Sequence, residues 1–251
     1  MISCMVQLVG VLNITPDSFS DGGLFVEPEV AFKQAGKLFE DGASLVDVGA
    51  ESTRPGAVPI TATEEWERLE PVLKLLIVRY PDRVSVDTYH PETAERALAL
   101  GDIIINDVTG MNNPAMVAVV LKHHARCIVS NLLASDPQTA HRGELIDNVQ
   151  LIVDDLQAKH ALLIDGGLRS DQIILDPGIG FGKTPELNRA LLRFPELMPG
   201  YKVMIGYSRK RFLGENRLEL EPNLAAGRIA IAAGAAFLRV HDVAGHRQLL
   251  Y

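Results

Sequence analysis

Cysteine is almost missing from this 251-residue chain: Cys4 and Cys127 are the only two, and they form no C-x-x-C pair. That excludes a disulfide scaffold and predicts a reducing, cytoplasmic setting, with neither thiol placed as a nucleophile. Basic charge is in deficit as well. The 24 Lys and Arg against 32 Asp and Glu leave a formal net charge of −8, which argues against nucleic acid or a membrane surface as partner, because polyanions need clustered cations. The expected partners are small-molecule substrates. These can still be anionic, since a few cations focused in a cleft dominate the local field. No apolar run is long enough to span a bilayer. The apolar start, Met1 to Ile14, has no basic flank or small-residue cleavage site and reads as a strand. There is also no low-complexity stretch, charge block or Pro/Gly/Ser linker, so residues 1–251 are expected to form one domain.

What is present is alternation, within a hydrophobic content of 47% that can fill a large core. Short β-branched runs ending in Gly, Asp, Asn or Ser predict strands at Val6–Asn13, Leu45–Gly49, Arg83–Asp87, Asp102–Asp107, Cys127–Leu132, Gln172–Asp176, Lys202–Tyr207 and Phe237–His241. Amphipathic stretches between them predict helices at Glu27–Asp41, Thr63–Arg79, Pro91–Leu100, Pro114–His123, Glu144–Gly166, Pro185–Phe194, Asn223–Ala235 and Val243–Leu250. Several open on a proline, whose missing N–H costs nothing in a first turn. Repeated βα units fit an α/β fold, either a (β/α)₈ TIM barrel or a doubly wound open sheet. The strand count, and the lack of a G-x-G-x-x-G turn after the first strand, favour the barrel.

In a barrel the strand ends gather on one face, where active sites are built. The polar residues there are Asn13, Glu51 to Arg54, Asp87, Asn106, Asn131, Asp176, Ser208 with Lys210, and Arg239 with His241. Any one of the Asp or Asn residues could be a helix N-cap. Capping does not call for Arg239 and His241, two apart on one strand and facing the same way, which need a ligand or an acidic partner. Asp87, Asn106 and Asp176 suit a flat, nitrogen-rich heterocycle, because a carboxylate accepts two parallel N–H bonds from an aminopyrimidinone edge. Asn13, Arg239 and His241 suit an anion, and Arg54 and Lys210 could serve either end. The His and Asp positions lie on different strands without H-x-x-E-H type spacing, which argues against a dedicated zinc cage. Mg²⁺ held partly by substrate phosphates fits better. The run Asp176-Pro-Gly-Ile-Gly-Phe-Gly-Lys-Thr184 misses the P-loop because Pro177 stands where its first glycine belongs. It reads instead as a turn that brings backbone close to a flat ligand, with Phe181 beside it and Lys183 at the next helix start.

Together these segments resemble the dihydropteroate synthase family. The resemblance rests on Asn13-Ile-Thr-Pro-Asp-Ser-Phe-Ser-Asp-Gly-Gly23, Gly49-Ala-Glu-Ser-Thr-Arg-Pro-Gly56, Ser85-Val-Asp-Thr88, Asn106-Asp-Val-Thr-Gly110, Asp176 to Lys183, Ser208-Arg-Lys210 and Arg239-Val-His-Asp242, in family order along the chain. The resemblance implies a single pterin-binding barrel of folate biosynthesis. Its reaction condenses 6-hydroxymethyl-7,8-dihydropterin pyrophosphate with 4-aminobenzoate to give 7,8-dihydropteroate and pyrophosphate. It further implies that Asp87, Asn106, Asp176, Phe181 and Lys210 bind the pterin, and that Asn13, Arg239 and His241 bind the pyrophosphate, with Asn13 also near Mg²⁺. Phe19, Thr53, Arg54, Pro55 and Ser208 would serve the aminobenzoate. Asp21, Arg54, Lys210 and Arg239 would act in catalysis. Sulfonamide sensitivity and a homodimer built on the late helices are family expectations too.

The chain departs from the family at the fifth strand. Many members have Met-His there, with the Met against the pterin; this sequence has Ser130 and Asn131. The lost contact predicts pterin binding weaker by roughly 1–2 kcal/mol unless Leu132 fills the gap. Among other residues, His123 and His124 read as helix-end or surface residues, and Trp66 with Leu69 and Leu73 as the inner face of a helix. His90 and His141 lie in or near loops without a matching partner. Two other readings stay open: a pterin-dependent methyltransferase barrel and a non-catalytic pterin-binding paralogue.

Overall fold

The β-branched runs form eight strands: β1 Gln7–Asn13, β2 Leu45–Gly49, β3 Val84–Asp87, β4 Ile104–Asp107, β5 Cys127–Ser130, β6 Ile173–Asp176, β7 Met204–Ile205 and β8 Phe237–Val240. This computed structural model describes residues 6–15, 27–52, 57–134, 137–140 and 144–251. Phe19, Asp21, Thr53, Arg54, Pro55 and His141, like Cys4, lie outside the described residues. All strand pairs are parallel, in the order β6-β5-β4-β3-β2-β1-β8-β7. The ring closes where Leu175 of β6 pairs with Val203 and its N–H donates to Lys202 O at 2.9 Å. The architecture is therefore the single-domain (β/α)₈ barrel, and the open sheet is excluded.

The helices are α1 Pro28–Glu40, α2 Ala62–Arg79, α3 Pro91–Leu100, α4 Pro114–Lys122, α5 Val149–Asp165, α6 Pro185–Ala190, α7 Leu220–Ala232 and the single turn α8 Val243–His246. Their starts follow local chemistry. Proline opens α1, α3, α4 and α6, and α2 begins with a capping box in which Thr61 and Glu64 satisfy each other's backbone N–H. The expected helix Glu144–Gly166 starts later, at Val149. Ile146 is drawn instead into a bridge with Lys183, and the Asn148 side chain caps the helix. The helix expected through Phe194 passes at Leu191–Leu197 into 3₁₀ turns around Pro195, which has no N–H to continue an α-helix. Among the described residues no helix is long and apolar enough to cross a membrane.

Side-chain parity sorts each strand between two environments. Leu8, Val46, Val48, Val86, Ile105, Val129, Leu175, Ile205 and Leu238 face the helices in the main core. The opposite parity faces the barrel axis, where Val9, Leu45, Ile104, Ile128, Ile174, Met204 and Phe237 form a separate apolar plug. Two residues further along the same strands come Val11, Asp47, Asn106, Ser130, Asp176, Gly206 and Arg239, with Ser85 of β3 in register with Asp47. The barrel axis thus changes from apolar to polar within one pleat repeat, and the polar layer lies toward the C-terminal mouth.

Candidate active site

Asp47, in the middle of β2 and fully buried, is the hub of the polar layer. It accepts from Ser85 Oγ at 2.6 Å, Asn106 Nδ2 at 2.9 Å and Arg239 Nε at 2.6 Å. Arg239 also donates from Nη2 to Asp87 at 2.7 Å. Its guanidinium spans two carboxylates, supplying the acidic partners that its position on β8 requires. Burial works against that charge, but Asp47 and Asp87 more than offset it and hold Arg239 protonated. Burial pushes the Asp87 carboxyl up to about 7, with Arg239 opposing and Asp47 adding to the shift. Neither Asp47 nor Ser85 stands at a strand end, which is why a survey of strand ends misses them. The available signal was parity: an acid inside Leu-Val-Asp-Val-Gly shares its face with Leu45 and Gly49.

The second half of the mouth is built on β6 and the chain after β7. Asp176 is buried, one oxygen accepting from Gly178 N–H at 2.7 Å. Its other oxygen borders the space over Gly206, where a Cβ would lie 3.5 Å from Asp176 Oδ2 and 3.8 Å from Lys210 Nζ. Gly206 therefore leaves open the ground between an acid and a cation. Lys210 Nζ stands 5.3 Å from the Phe181 ring centroid and donates to Ile179 O. Burial raises the pKa of Asp176 and lowers that of Lys210 to about 8, while the two oppose each other's shifts. The glycines nearby serve the scaffold first. Gly178, at φ 65°, passes so close to β5 that a Cβ would overlap the Asn131 carbonyl oxygen, and Gly110, at φ 69°, meets Ser130 O in the same way. Lys183 is not at the helix start: Thr184 caps α6, and Lys183 is buried, donating to Asn131 O at 3.2 Å and Phe181 O at 3.1 Å.

At the outer rim, His241 Nδ1 lies 3.0 Å from Ser208 Oγ, so two residues expected at different ends of the pocket meet. Asn13, at the end of β1, sits in register with Gly49 of β2, which in turn aligns with Asp87. Its side-chain amide makes no hydrogen bond among the described residues. On β5 the two departures separate. Ser130 is in register with Asp176 and continues the inward parity of Ile128, whereas Asn131 is fully buried and donates to Asp155 on α5 at 2.7 Å. Only Ser130 faces the mouth. The expectation for His90 is corrected: its Nε2 lies 3.1 Å from Glu51 Oε2. Sequence distance hid that pair, because 39 residues and a helix separate them.

The barrel thus carries acids, an amide and two cations at its C-terminal mouth. The family model described as "pterin binding enzyme" matches residues 9–241. The chain belongs to this family. It is 38% identical over 255 residues to the dihydropteroate synthase of Synechocystis, covering 96% of this chain and 87% of the relative. Among solved structures, a Burkholderia cenocepacia dihydropteroate synthase complexed with 7,8-dihydropteroate aligns with TM-score 0.84 at 34% identity, covering 98% of this chain and 89% of that one. A Yersinia pestis dihydropteroate synthase with a sulfonamide drug aligns with TM-score 0.89 at 30% identity, covering 100% and 94%.

Proposed function

We infer that this chain carries out the dihydropteroate synthase reaction, a transferase step. The arylamine nitrogen of 4-aminobenzoate displaces pyrophosphate from the methylene of 6-hydroxymethyl-7,8-dihydropterin pyrophosphate. The C–O bond to pyrophosphate breaks with its electron pair, the C–N bond forms, and the amine loses a proton. The observation that carries this reading is the Asp176–Lys210–Asn106–Asp87–Arg239 array around an open floor at the mouth. Asp176 and Asn106 offer an acceptor and an amide for the ring's polar edge, while Phe181 and the stem of Lys210 offer it a face. Arg239 and His241 draw the leaving pyrophosphate, and Arg239 keeps Asp87 in place. No covalent nucleophile takes part. The residues' contribution is positioning and electrostatic stabilisation of the departing charge. Asp21 and Arg54 as catalytic residues, and Phe19, Thr53, Pro55 and Ser208 at the aminobenzoate, belong to the same proposal.

Mg²⁺ completes it. Asn13 offers a hard amide oxygen with no other hydrogen-bonding duty among the described residues, which suits an ion that takes most of its ligands from phosphate and water. When bound, the ion neutralises charge on the pyrophosphate. We place the protein in the cytoplasm, where the buried free thiol of Cys127 stays reduced. We also propose a homodimer, to which Leu218, just before α7, and Ile229, in the C-terminal third of α7, offer exposed apolar surface; sedimentation measures it.

Purified protein supplied with both substrates and Mg²⁺ is expected to release pyrophosphate and form dihydropteroate in equal amounts, with EDTA suppressing turnover and sulfonamides competing with aminobenzoate. Pterin binding without product would instead establish the non-catalytic paralogue, and methyl transfer to cobalamin the methyltransferase. The reading also fixes a pH dependence. Lys210 is charged below its lowered pKa of about 8 and neutral above it. The kcat/KM for the pterin pyrophosphate, which reports the free enzyme, should therefore fall as pH rises past about 8. A profile flat to pH 10 would remove Lys210 from that role.

A further inference from the structure

The turn between β6 and α6 brings Phe181 and the carbonyl of Ile179 to Lys210, and it is held from behind by a side chain that takes no part in the reaction. Asn188, the fourth residue of α6, is buried. Its Oδ1 accepts from the Gly180 N–H at 2.7 Å, and its Nδ2 donates to Lys183 O at 3.1 Å. One amide thus spends its acceptor and a donor on the backbone of the turn. The helix that carries it starts at a fixed place, because the Thr184 hydroxyl accepts from the Leu187 N–H at 3.2 Å.

The N–H of Gly180 and the C=O of Ile179 belong to one planar peptide unit, and in a trans peptide the two groups point in opposite directions. With Asn188 on the N–H side, the carbonyl faces Lys210, whose Nζ donates to it. Gly180, at φ 88°, takes a conformation that a side chain would strain, and a Cβ there would lie 3.2 Å from Lys210 Cδ, so the lysine stem crosses the turn at this residue. A single rigid unit therefore links an amide on α6 to the ammonium that stands 5.3 Å from the Phe181 ring centroid. A carbonyl acceptor favours the charged form of that amine. The charged groups facing Lys210 are Asp176 from β6 and Asp87 from β3, which favour its charge, and Arg239 from β8, which opposes it; Lys183, on the same turn, is the other cation nearby.

We propose that Asn188 is a positioning residue for pterin binding: by holding the Gly180 N–H it aims the Ile179 carbonyl at Lys210 and so fixes the ammonium at the mouth. The inference rests on the reading that Lys210 binds the pterin. Asn188 acts through the peptide unit and not by touching the ligand.

The test uses Asn188→Ser and Asn188→Asp in the full chain, with the Kd for the pterin pyrophosphate measured by calorimetry on both sides of pH 8, where Lys210 titrates, and steady-state kinetics alongside. The serine hydroxyl stops short of the Gly180 N–H. In N188S the alkaline weakening of binding should therefore set in about one pH unit lower than in the parent, the shift expected when a charged group loses one hydrogen bond. On the alkaline side the Kd should be about tenfold higher, since one pKa unit is a tenfold change in the charged fraction. In N188D a carboxyl oxygen can still accept from the Gly180 N–H, and any charge it carries favours the protonated amine, so its limb should lie at or above the parental one. An N188S protein with the parental limb overturns the proposal, and so does a limb in N188D that falls below the parent's. Turnover reduced equally at every pH, with the limb unmoved, marks fewer active molecules and overturns it as well. If N188S does not fold, the limb of N188D decides alone. A parent that binds the pterin pyrophosphate but forms no dihydropteroate overturns the proposed function and leaves the Kd series as the test of Asn188. A parent that does not bind it overturns both.

Discussion

Replacing Asp176 by Asn is expected to lower kcat/KM for the pterin pyrophosphate by about 10²–10³-fold, since hydrogen bonds to a charged acceptor contribute roughly 1.5–3 kcal/mol each. The carboxylate is buried beside Lys210, with Arg239 and Lys183 also acting on it. One of its oxygens is held by the Gly178 N–H, so the side chain arrives at the ligand already oriented. An amide of the same shape keeps the Gly178 bond but presents either an acceptor or a donor to the ring, and loses the charge. A second consequence separates this from simple loss of shape. Asp176 is the strongest influence opposing the fall in the Lys210 pKa, so in D176N that pKa should drop below its value of about 8. The alkaline limb of the pH profile should move to lower pH with it. Steady-state kinetics across pH measures both effects, and an Asn variant with parental KM for the pterin would end the assignment.

Asp47→Asn should damage the fold more than any other single change at the mouth. Three donors converge on this fully buried carboxylate, and one of them is the guanidinium of Arg239, itself only 22% exposed. Taking away one partner of a buried pair typically costs about 3–5 kcal/mol, because the remaining charge is left without compensation. For a chain of this size that corresponds to a fall in Tm of about 6–20 °C. Asp87 would keep one arm of Arg239, which places Asn toward the low end and Ala toward the high end. Chemical denaturation with a parallel pterin-binding assay reads both losses. A D47N protein of parental stability would show that Asn106 and Ser85 set the layer without it.

The two substitutions illustrate different depths of legibility. Asp176 was visible from the sequence because it ends a β-branched run and opens a glycine-rich turn, so local pattern alone put it at the mouth. Asp47 was not, since a survey of strand ends passes over an acid in the middle of one. Only the parity of the closed barrel, with Leu45 in the plug and Asp47 one pleat above it, explains how an acid can occupy a fully buried strand. The glycines of the turn after β6 gave a partly misleading signal. Gly178 looked like room for a ligand, and the structure spends that room on the β5 backbone, while Gly206, inside a predicted strand, is the glycine that opens the floor. Ser130 and Asn131 looked like one joint departure, yet consecutive strand residues face opposite ways, so one borders the mouth and the other ties down α5.

By itself the sequence determined the number and order of the βα units, most of the helix starts and the set of chemical groups at the strand ends, because each depends on residues within a few positions of one another. Period-two runs, first-turn prolines and capping pairs are local physics. The tertiary structure decided which of those groups meet. Arg239 finds Asp47 across 192 residues and Asp87 across 152, and Gln138 finds Glu51 across 87. Contacts at such separations are set by strand register and barrel closure, and no short stretch of sequence carries them.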